Sequence, residues 1–167
     1  METPFTHLDG DGRLRMVDVS DKSPTRRSAQ ASCVVRSTVD VFSLPASASG
    51  LDPVFAARLA GIQAAKRTAQ LIPLCHPLNL NDVQVEVTSE EVGVLVRSTV
   101  VTVNRTGVEM EALTACAFAA LSLVNALVVL DERAAFEDLV LESKTGGKSD
   151  DWGRQIAAGE SGAGTGR

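Results

Sequence analysis

The segment LIPLCHPLNL, residues 71–80, places a cysteine beside a histidine between two prolines. Proline fixes its own φ angle and restricts the residue before it, so this loop should hold Cys75 and His76 in defined orientations. A histidine held in this way can contact a ligand or donate a proton near neutral pH. The alternative is a histidine with a structural role in a turn, and Cys75 alone is more typical of a small buried residue.

A second group of candidates is the pair of glutamates in TGVEME, residues 106–111. Thr106 followed by Glu109 forms a capping box, which predicts that a helix starts here and gives Glu109 a structural role. Glu111 has no such role and points in another direction, so it is the better candidate for a ligand contact. The structural alternative is that the helix dipole favours carboxylates in the first turn.

Basic residues occur in two further segments. Lys66 and Arg67 lie on the polar side of a predicted helix, where they either face solvent or contact a phosphate. The segment KTGGKS, residues 144–149, has the composition of a phosphate-binding loop, but it lacks the P-loop spacing and no helix follows it. We therefore interpret it as a flexible basic segment.

The elements that must position these residues follow the order β-α-β-β-α-β. They are a strand from Ala31, a helix over 54–72, a hairpin with strands over 83–88 and 94–104, a helix from Thr106 to about Leu130, and a strand over 136–143. Two split β-α-β units of this kind predict an α+β, ferredoxin-like antiparallel sheet with both helices packed on one face.

The first helix carries an apolar face and many small residues. Phe55, Leu59 and Ile62 fall on one face, while alanines and a glycine occupy much of the rest of the helix. Small side chains allow another helix to approach closely, so this composition is compatible with an oligomer.

The chain of 167 residues is expected to form one domain over 31–149. Residues 1–30 are polar and contain Pro4, Gly10, Gly12 and Pro24, which favours an N-terminal arm. Residues 150–167 are rich in glycine and polar residues, and we expect them to be a disordered tail.

Composition excludes several classes of protein. The formal charge of −5 argues against nucleic acid or an anionic membrane as the main partner. Three cysteines without CxxC spacing and only two histidines predict no metal site, and we expect no cofactor. The sequence has no signal peptide pattern and no apolar run of membrane-spanning length, so we expect a cytoplasmic protein.

Four stretches together resemble the cyclic pyranopterin monophosphate synthases of molybdenum cofactor biosynthesis. They are THLDGDGRLRMVDVS, ARLAGIQAAKRT with LIPLCHPL, RTGVEMEALTA, and KTGGKS, spread over residues 6–149. The resemblance implies a ferredoxin-like subunit in a homohexamer built as a trimer of dimers, with the active site at a subunit interface. It also implies conversion of a cyclised dihydroguanosine triphosphate into cyclic pyranopterin monophosphate, with release of diphosphate.

The resemblance assigns substrate-binding roles to eight residues. They are Leu74, Cys75, His76, Glu109, Met110 and Glu111, with Lys66 and Arg67 near the phosphates. The small molecule implied as the partner is a pterin derived from guanosine triphosphate.

The sequence also departs from the family pattern at catalytic positions. The family carries an aspartate and, three residues later, a lysine on its second helix, and these positions are Asn125 and Val128 here. A further family lysine before the first helix corresponds to Gly50 or Leu51. Loss of a positioned acid or base typically costs roughly 10²- to 10⁴-fold in rate.

Three hypotheses follow from these matches and departures. The first is a family enzyme whose activity is weak or depends on another subunit that supplies the missing lysines. The second is a catalytically silent paralogue that binds a pterin or nucleotide, or scaffolds an active homologue. The third is a different reaction in which Cys75 is the nucleophile.

Overall fold

A five-stranded antiparallel sheet forms one layer of the protein. The structure, a computed structural model, describes residues 7–46, 52–91, 93–147 and 151–154. Its strands are β1 (Thr25–Arg36), β2 (Asp82–Glu90), β3 (Gly93–Asn104), β4 (Ala135–Thr145) and β5 (Trp152–Gly153). They lie in the order β2-β3-β1-β4-β5.

Three helices accompany the sheet within the described residues. They are α1 (Pro53–Ala65), the short α2 (Thr68–Leu71) and α3 (Glu109–Leu127), and a 3-10 turn lies at Val41–Ser43. The core contains alternate residues of β1 and β3 together with the buried faces of α1 and α3. The predicted α+β, ferredoxin-like arrangement is therefore confirmed.

The small residues of α1 pack against α3 of the same chain. A Cβ atom placed on Gly61 would lie 2.7 Å from the carbonyl oxygen of Ala115 and 3.2 Å from the Cβ of Ala119. The alanine-rich face is thus already occupied, and it does not require a second copy. Phe55 and Leu59, by contrast, are 55% and 42% exposed, so they do not form the buried face of α1.

The first helix is shorter than the sequence predicts. The prediction of one helix over 54–72 is wrong, because α1 ends at Ala65 and α2 starts at Thr68. Arg67, with φ −115° and ψ 9°, departs from helical geometry between them. The Thr68 hydroxyl donates a hydrogen bond to the Ala65 carbonyl at 3.0 Å, which stabilises the end of α1.

One strand begins before its predicted range, and another forms where the sequence predicts no strand. β1 begins at Thr25, inside the segment interpreted as an arm, and β5 forms at Trp152 and Gly153, inside the predicted tail. The first residues of β1 are polar and only partly buried, so no apolar alternation marks them in the sequence. Residues 155–167 lie outside the described residues.

The predicted capping box at the start of α3 is wrong. The N-cap position is occupied by Val108, which makes no side-chain capping hydrogen bond. The Thr106 hydroxyl oxygen is buried without a hydrogen-bond partner among the described residues. Glu109 instead pairs with Lys144 of β4, its Oε1 lying 3.6 Å from the lysine Nζ. The ion pair with a distant strand therefore takes the place of the predicted capping hydrogen bond.

Helix α3 is long and apolar enough to span a membrane by length and composition alone. Half of that stretch is buried inside the protein. Leu123, Leu127 and four alanines of α3 belong to the core that α3 shares with the sheet; the alanines are Ala112, Ala115, Ala119 and Ala120. Core helices meet the same criterion, so this composition is weak evidence for a membrane segment.

Candidate active site

A cavity of about 470 Å³ lies where the loop after α2, the start of β1 and the start of α3 meet. This volume falls within the range of small-molecule sites. Six of its lining residues are those expected to bind substrate: Leu74, Cys75, His76, Glu109, Met110 and Glu111. The structure therefore brings together two sequence segments that are more than thirty residues apart.

The loop that carries Cys75 and His76 is fixed to β3. The Thr102 hydroxyl donates to the Asn79 carbonyl at 2.7 Å, and the Val103 amide donates to the Asn81 side chain at 2.8 Å. Leu74 has φ +65°, a conformation that is uncommon for a residue with a side chain. Such backbone conformations concentrate at functional sites, where surrounding contacts hold them.

Glu111 has the most unusual electrostatic environment in the cavity. It is only 4% exposed, and burial raises its pKa to about 7, with a smaller contribution from the charge of Glu109. A carboxyl group with this pKa can accept or donate a proton near neutral pH. Glu111 is thus suited to acid-base chemistry in a way that an exposed glutamate is not.

Cys75 is a poor nucleophile in this setting. Burial raises the pKa of its thiol, and the nearby Glu111 charge raises it further. The reactive form of cysteine is the thiolate, which a raised pKa makes scarcer. Burial and the Glu111 charge thus argue against the hypothesis that Cys75 attacks the substrate.

Three basic side chains that the sequence analysis did not identify as site residues also line the cavity: Lys22, Arg27 and Arg105. The Arg27 Nε donates to the Asn104 carbonyl at 3.1 Å, which holds the side chain across β1 and β3. A side chain at Gly147 would occupy the space of the Arg27 guanidinium, so the glycine leaves room for it. Lys22 and Arg27 lie within residues 1–30, and only the three-dimensional structure reveals that both reach the cavity.

The N-terminal segment forms another wall of this cavity through His7, Val17 and Val19. Nearby, Ser20 donates two hydrogen bonds to the Asp18 carboxylate, and these bonds lower the pKa of Asp18. Smaller contributions come from the charges of Arg15 and His76. His7, Val17 and Val19 of the motif THLDGDGRLRMVDVS therefore contribute to the wall of the cavity.

Lys66 and Arg67 lie away from this cavity. Both are exposed, and neither is among the residues that line it. Lys66 instead lines a separate cavity with Asn79 and Asn81. A role for these two residues at the phosphates remains a prediction.

Asn125 and Val128 lie at the opposite end of α3. Both are exposed, and they continue a surface stripe that includes Phe118 and Leu121. At 1.5 Å per residue, Asn125 is roughly 21 Å along the helix from Glu111. One chain therefore does not bring these two positions together with the cavity. Gly50 and Leu51 lie outside the described residues.

The sequence is similar to those of known proteins. The model of the MoaC family matches residues 16–147. A cyclic pyranopterin monophosphate synthase of Nocardioides sp. is 49% identical over 155 residues, which cover 90% of this chain and 95% of the relative. The synthase of Nostoc sp. is 48% identical, covering 91% of this chain and 97% of the relative. Cyclic pyranopterin monophosphate synthase 1 of Mycobacterium tuberculosis is 48% identical, covering 87% of each chain.

Proposed function

The chain belongs to the MoaC family, and on this basis we propose that it acts in molybdenum cofactor biosynthesis as a cyclic pyranopterin monophosphate synthase subunit. The reaction converts a cyclised dihydroguanosine triphosphate into cyclic pyranopterin monophosphate and diphosphate. The observation that carries the proposal is the cavity in which the His76 loop and the glutamates of α3 meet three basic side chains. We propose the cytoplasm as its compartment, since its cysteines are free thiols.

The basic residues of the cavity suit the triphosphate. Lys22, Arg27 and Arg105 concentrate positive charge in a chain whose formal charge is −5. Arginine binds phosphate oxygens through paired hydrogen bonds, and lysine acts as a point charge. The same cations stabilise the charge that develops when diphosphate leaves.

The acidic and imidazole groups suit the ring system. Conversion of the purine-derived ring requires proton transfers, and Glu111 has a pKa of about 7. His76 lies in the same cavity, and histidine is the side chain that enzymes use most often as a general acid or base. In this account Glu111 and His76 orient the ring and exchange protons with it, while Cys75, Leu74 and Met110 shape the pocket.

We propose that the complete site forms between two copies in a homohexamer, a trimer of dimers. Support comes from the roughly 21 Å that separate Glu111 from Asn125 on a single helix. Phe118, Leu121 and Val128 are exposed on that same end of α3, and burying them favours association. The far end of α3 from one copy would then complete the cavity of another.

The chain's own turnover should be slow. Asn125 donates and accepts hydrogen bonds but does not take up a proton, and Val128 carries no charge. Missing acid-base and cationic groups reduce the rate by roughly 10²- to 10⁴-fold at a single position. A homologous subunit with the aspartate and lysine in place would restore these groups across the interface.

A second candidate function is that of a catalytically silent paralogue which scaffolds an active homologue. The exposed position of Asn125 and Val128 on a surface stripe favours this candidate, because these residues are available for contact with another chain. A homohexamer that binds substrate without turnover, and a mixed hexamer with turnover, would distinguish it from a slow enzyme.

Substrate binding tests the proposed pocket directly. Titration calorimetry with the cyclised triphosphate should give an affinity that falls about 10- to 100-fold in Arg27→Ala, because a charged hydrogen bond is lost. Arg13→Ala is the matched control, since Arg13 is exposed and pairs with Asp11, and neither residue lines the cavity. Equal affinity in a folded Arg27→Ala protein and the control would refute the phosphate assignment.

A further inference from the structure

Two cysteines face each other inside the core, away from the cavity described above. Cys33 lies on β1 and Cys116 on α3, and they are 1% and 0% exposed. Their sulfur atoms are 3.3 Å apart, with Cys116 as the hydrogen-bond donor. Both are free thiols. The proposed reaction uses neither of them.

The surroundings bring the two sulfur atoms close and hold them there. Cys116 Sγ also lies 3.4 Å from the Val96 carbonyl oxygen, and Val96 is the partner of Cys33 across β1 and β3. Buried alanines, Ala31 on β1 and Ala115 and Ala119 on α3, flank the pair. Their small side chains allow α3 to approach the strand closely.

We propose that Cys33 and Cys116 are a latent redox pair, which a peroxide converts into an internal disulfide that links α3 to β1. A disulfide bond is about 2.05 Å long, so the sulfur atoms need to approach by little more than 1 Å. This inference is independent of the proposed enzymatic function.

The chemistry balances with one peroxide per pair. The Cys33 sulfur attacks a peroxide oxygen, the O–O bond breaks, and Cys33 sulfenic acid and water form. The Cys116 sulfur then attacks the Cys33 sulfur, the S–O bond breaks, and hydroxide leaves and takes up the thiol proton as a second water. Two thiols are oxidised by two electrons in total, and the peroxide is reduced to two waters.

The hydrogen bond between the thiols determines which sulfur reacts first. Cys116 donates to Cys33, which lowers the pKa of Cys33 and raises that of Cys116. The thiolate is the nucleophile towards peroxide, so Cys33 is the attacking residue and Cys116 resolves the sulfenic acid. A small uncharged oxidant such as hydrogen peroxide suits a pair that solvent does not reach.

The disulfide would link the two elements that form walls of the cavity. Arg27 lies six residues before Cys33 on β1, and Glu111 lies five residues before Cys116 on α3. The bond would close a loop between two residues that are 83 positions apart in the sequence. A disulfide that closes a loop of this size restricts the unfolded chain, so oxidation should raise thermal stability.

Peptide mapping tests bond formation in the unmodified full-length protein. The protein is treated with hydrogen peroxide, unfolded with N-ethylmaleimide present and digested without reductant. We expect a linked peptide pair that contains Cys33 and Cys116. Recovery of both residues as maleimide adducts or sulfinic acids, under conditions that oxidise the partly exposed Cys75, would overturn the proposal.

Thermal unfolding provides an independent readout. Oxidised protein should melt roughly 5 to 15 °C higher than reduced protein, and dithiothreitol should reverse the change. Cys116→Ala should show no such rise, and Cys33→Ala replaces it if the first variant does not fold. An unchanged or lower melting temperature of the oxidised wild-type protein would also overturn the proposal.

Discussion

Two glutamates in one helical turn have different physical roles because their surroundings differ. Glu109 is partly exposed and pairs with Lys144, whereas Glu111 points into the cavity and is buried. From the sequence, the two side chains are expected to point in different directions from the helix, and their different burial agrees with this expectation. The raised pKa of Glu111 depends on burial, which one sequence does not reveal.

The buried position of Glu111 should destabilise the protein at alkaline pH. Its pKa in the folded protein, about 7, lies above the ordinary value of 4.5. Between these values the unfolded chain releases the proton while the folded protein keeps it, so the free energy of unfolding falls as pH rises. Above about pH 7 the loss is complete.

Glu111→Gln removes this ionisation. We expect the variant to have a higher urea midpoint than the wild type at about pH 8, and a similar midpoint at about pH 4. Glu109→Gln is the control, and loss of its exposed ion pair should change stability by less than about 1 kcal/mol. A Glu111→Gln protein less stable than wild type at about pH 8 would contradict the assignment.

At the level of elements, strong apolar periodicity predicted the sheet and both long helices. The first half of β1 and the break after Ala65 were not predicted. The first half of β1 is polar and shows no apolar alternation, and the residues around the break are typical of a helix. A capping box was also predicted at Thr106, whereas Glu109 pairs with Lys144 on a distant strand. A long-range contact thus decided the error at the start of α3.

The contact between α1 and α3 depends on Gly61. An added methyl group there would lie 2.7 Å from the Ala115 carbonyl oxygen, so the helices would have to separate. Gly61→Ala should therefore lower the free energy of unfolding by about 1 to 3 kcal/mol, although alanine favours helices.

Gly10→Ala is the matched control for this substitution, because no atom lies within 4 Å of the position that its Cβ would occupy. Urea unfolding of both variants measures the difference. Equal stability of Gly61→Ala and the wild type would show that α1 and α3 tolerate a wider separation.

At the level of the whole molecule, one chain carries the two proposed halves of a site at opposite ends of α3. The His76 loop, Glu111 and the basic residues gather at the start of the helix, while Asn125 and Val128 lie at its exposed end. The family resemblance identified the His76 loop, Glu111, Asn125 and Val128, but only the three-dimensional structure reveals the basic residues of the cavity and the separation of the two groups. We therefore propose an assembly of several copies, in which each interface pairs one half with the other.

The proposed function requires that the substrate pocket is intact and that specific catalytic groups are absent. The most direct test is diphosphate release from the cyclised triphosphate by the wild type and by a variant that combines Asn125→Asp, Val128→Lys and Leu51→Lys. We predict slow turnover by the wild type and an increase of roughly 10²-fold or more in the variant. Rapid wild-type turnover, or a folded, substrate-binding variant without any gain, would contradict this requirement.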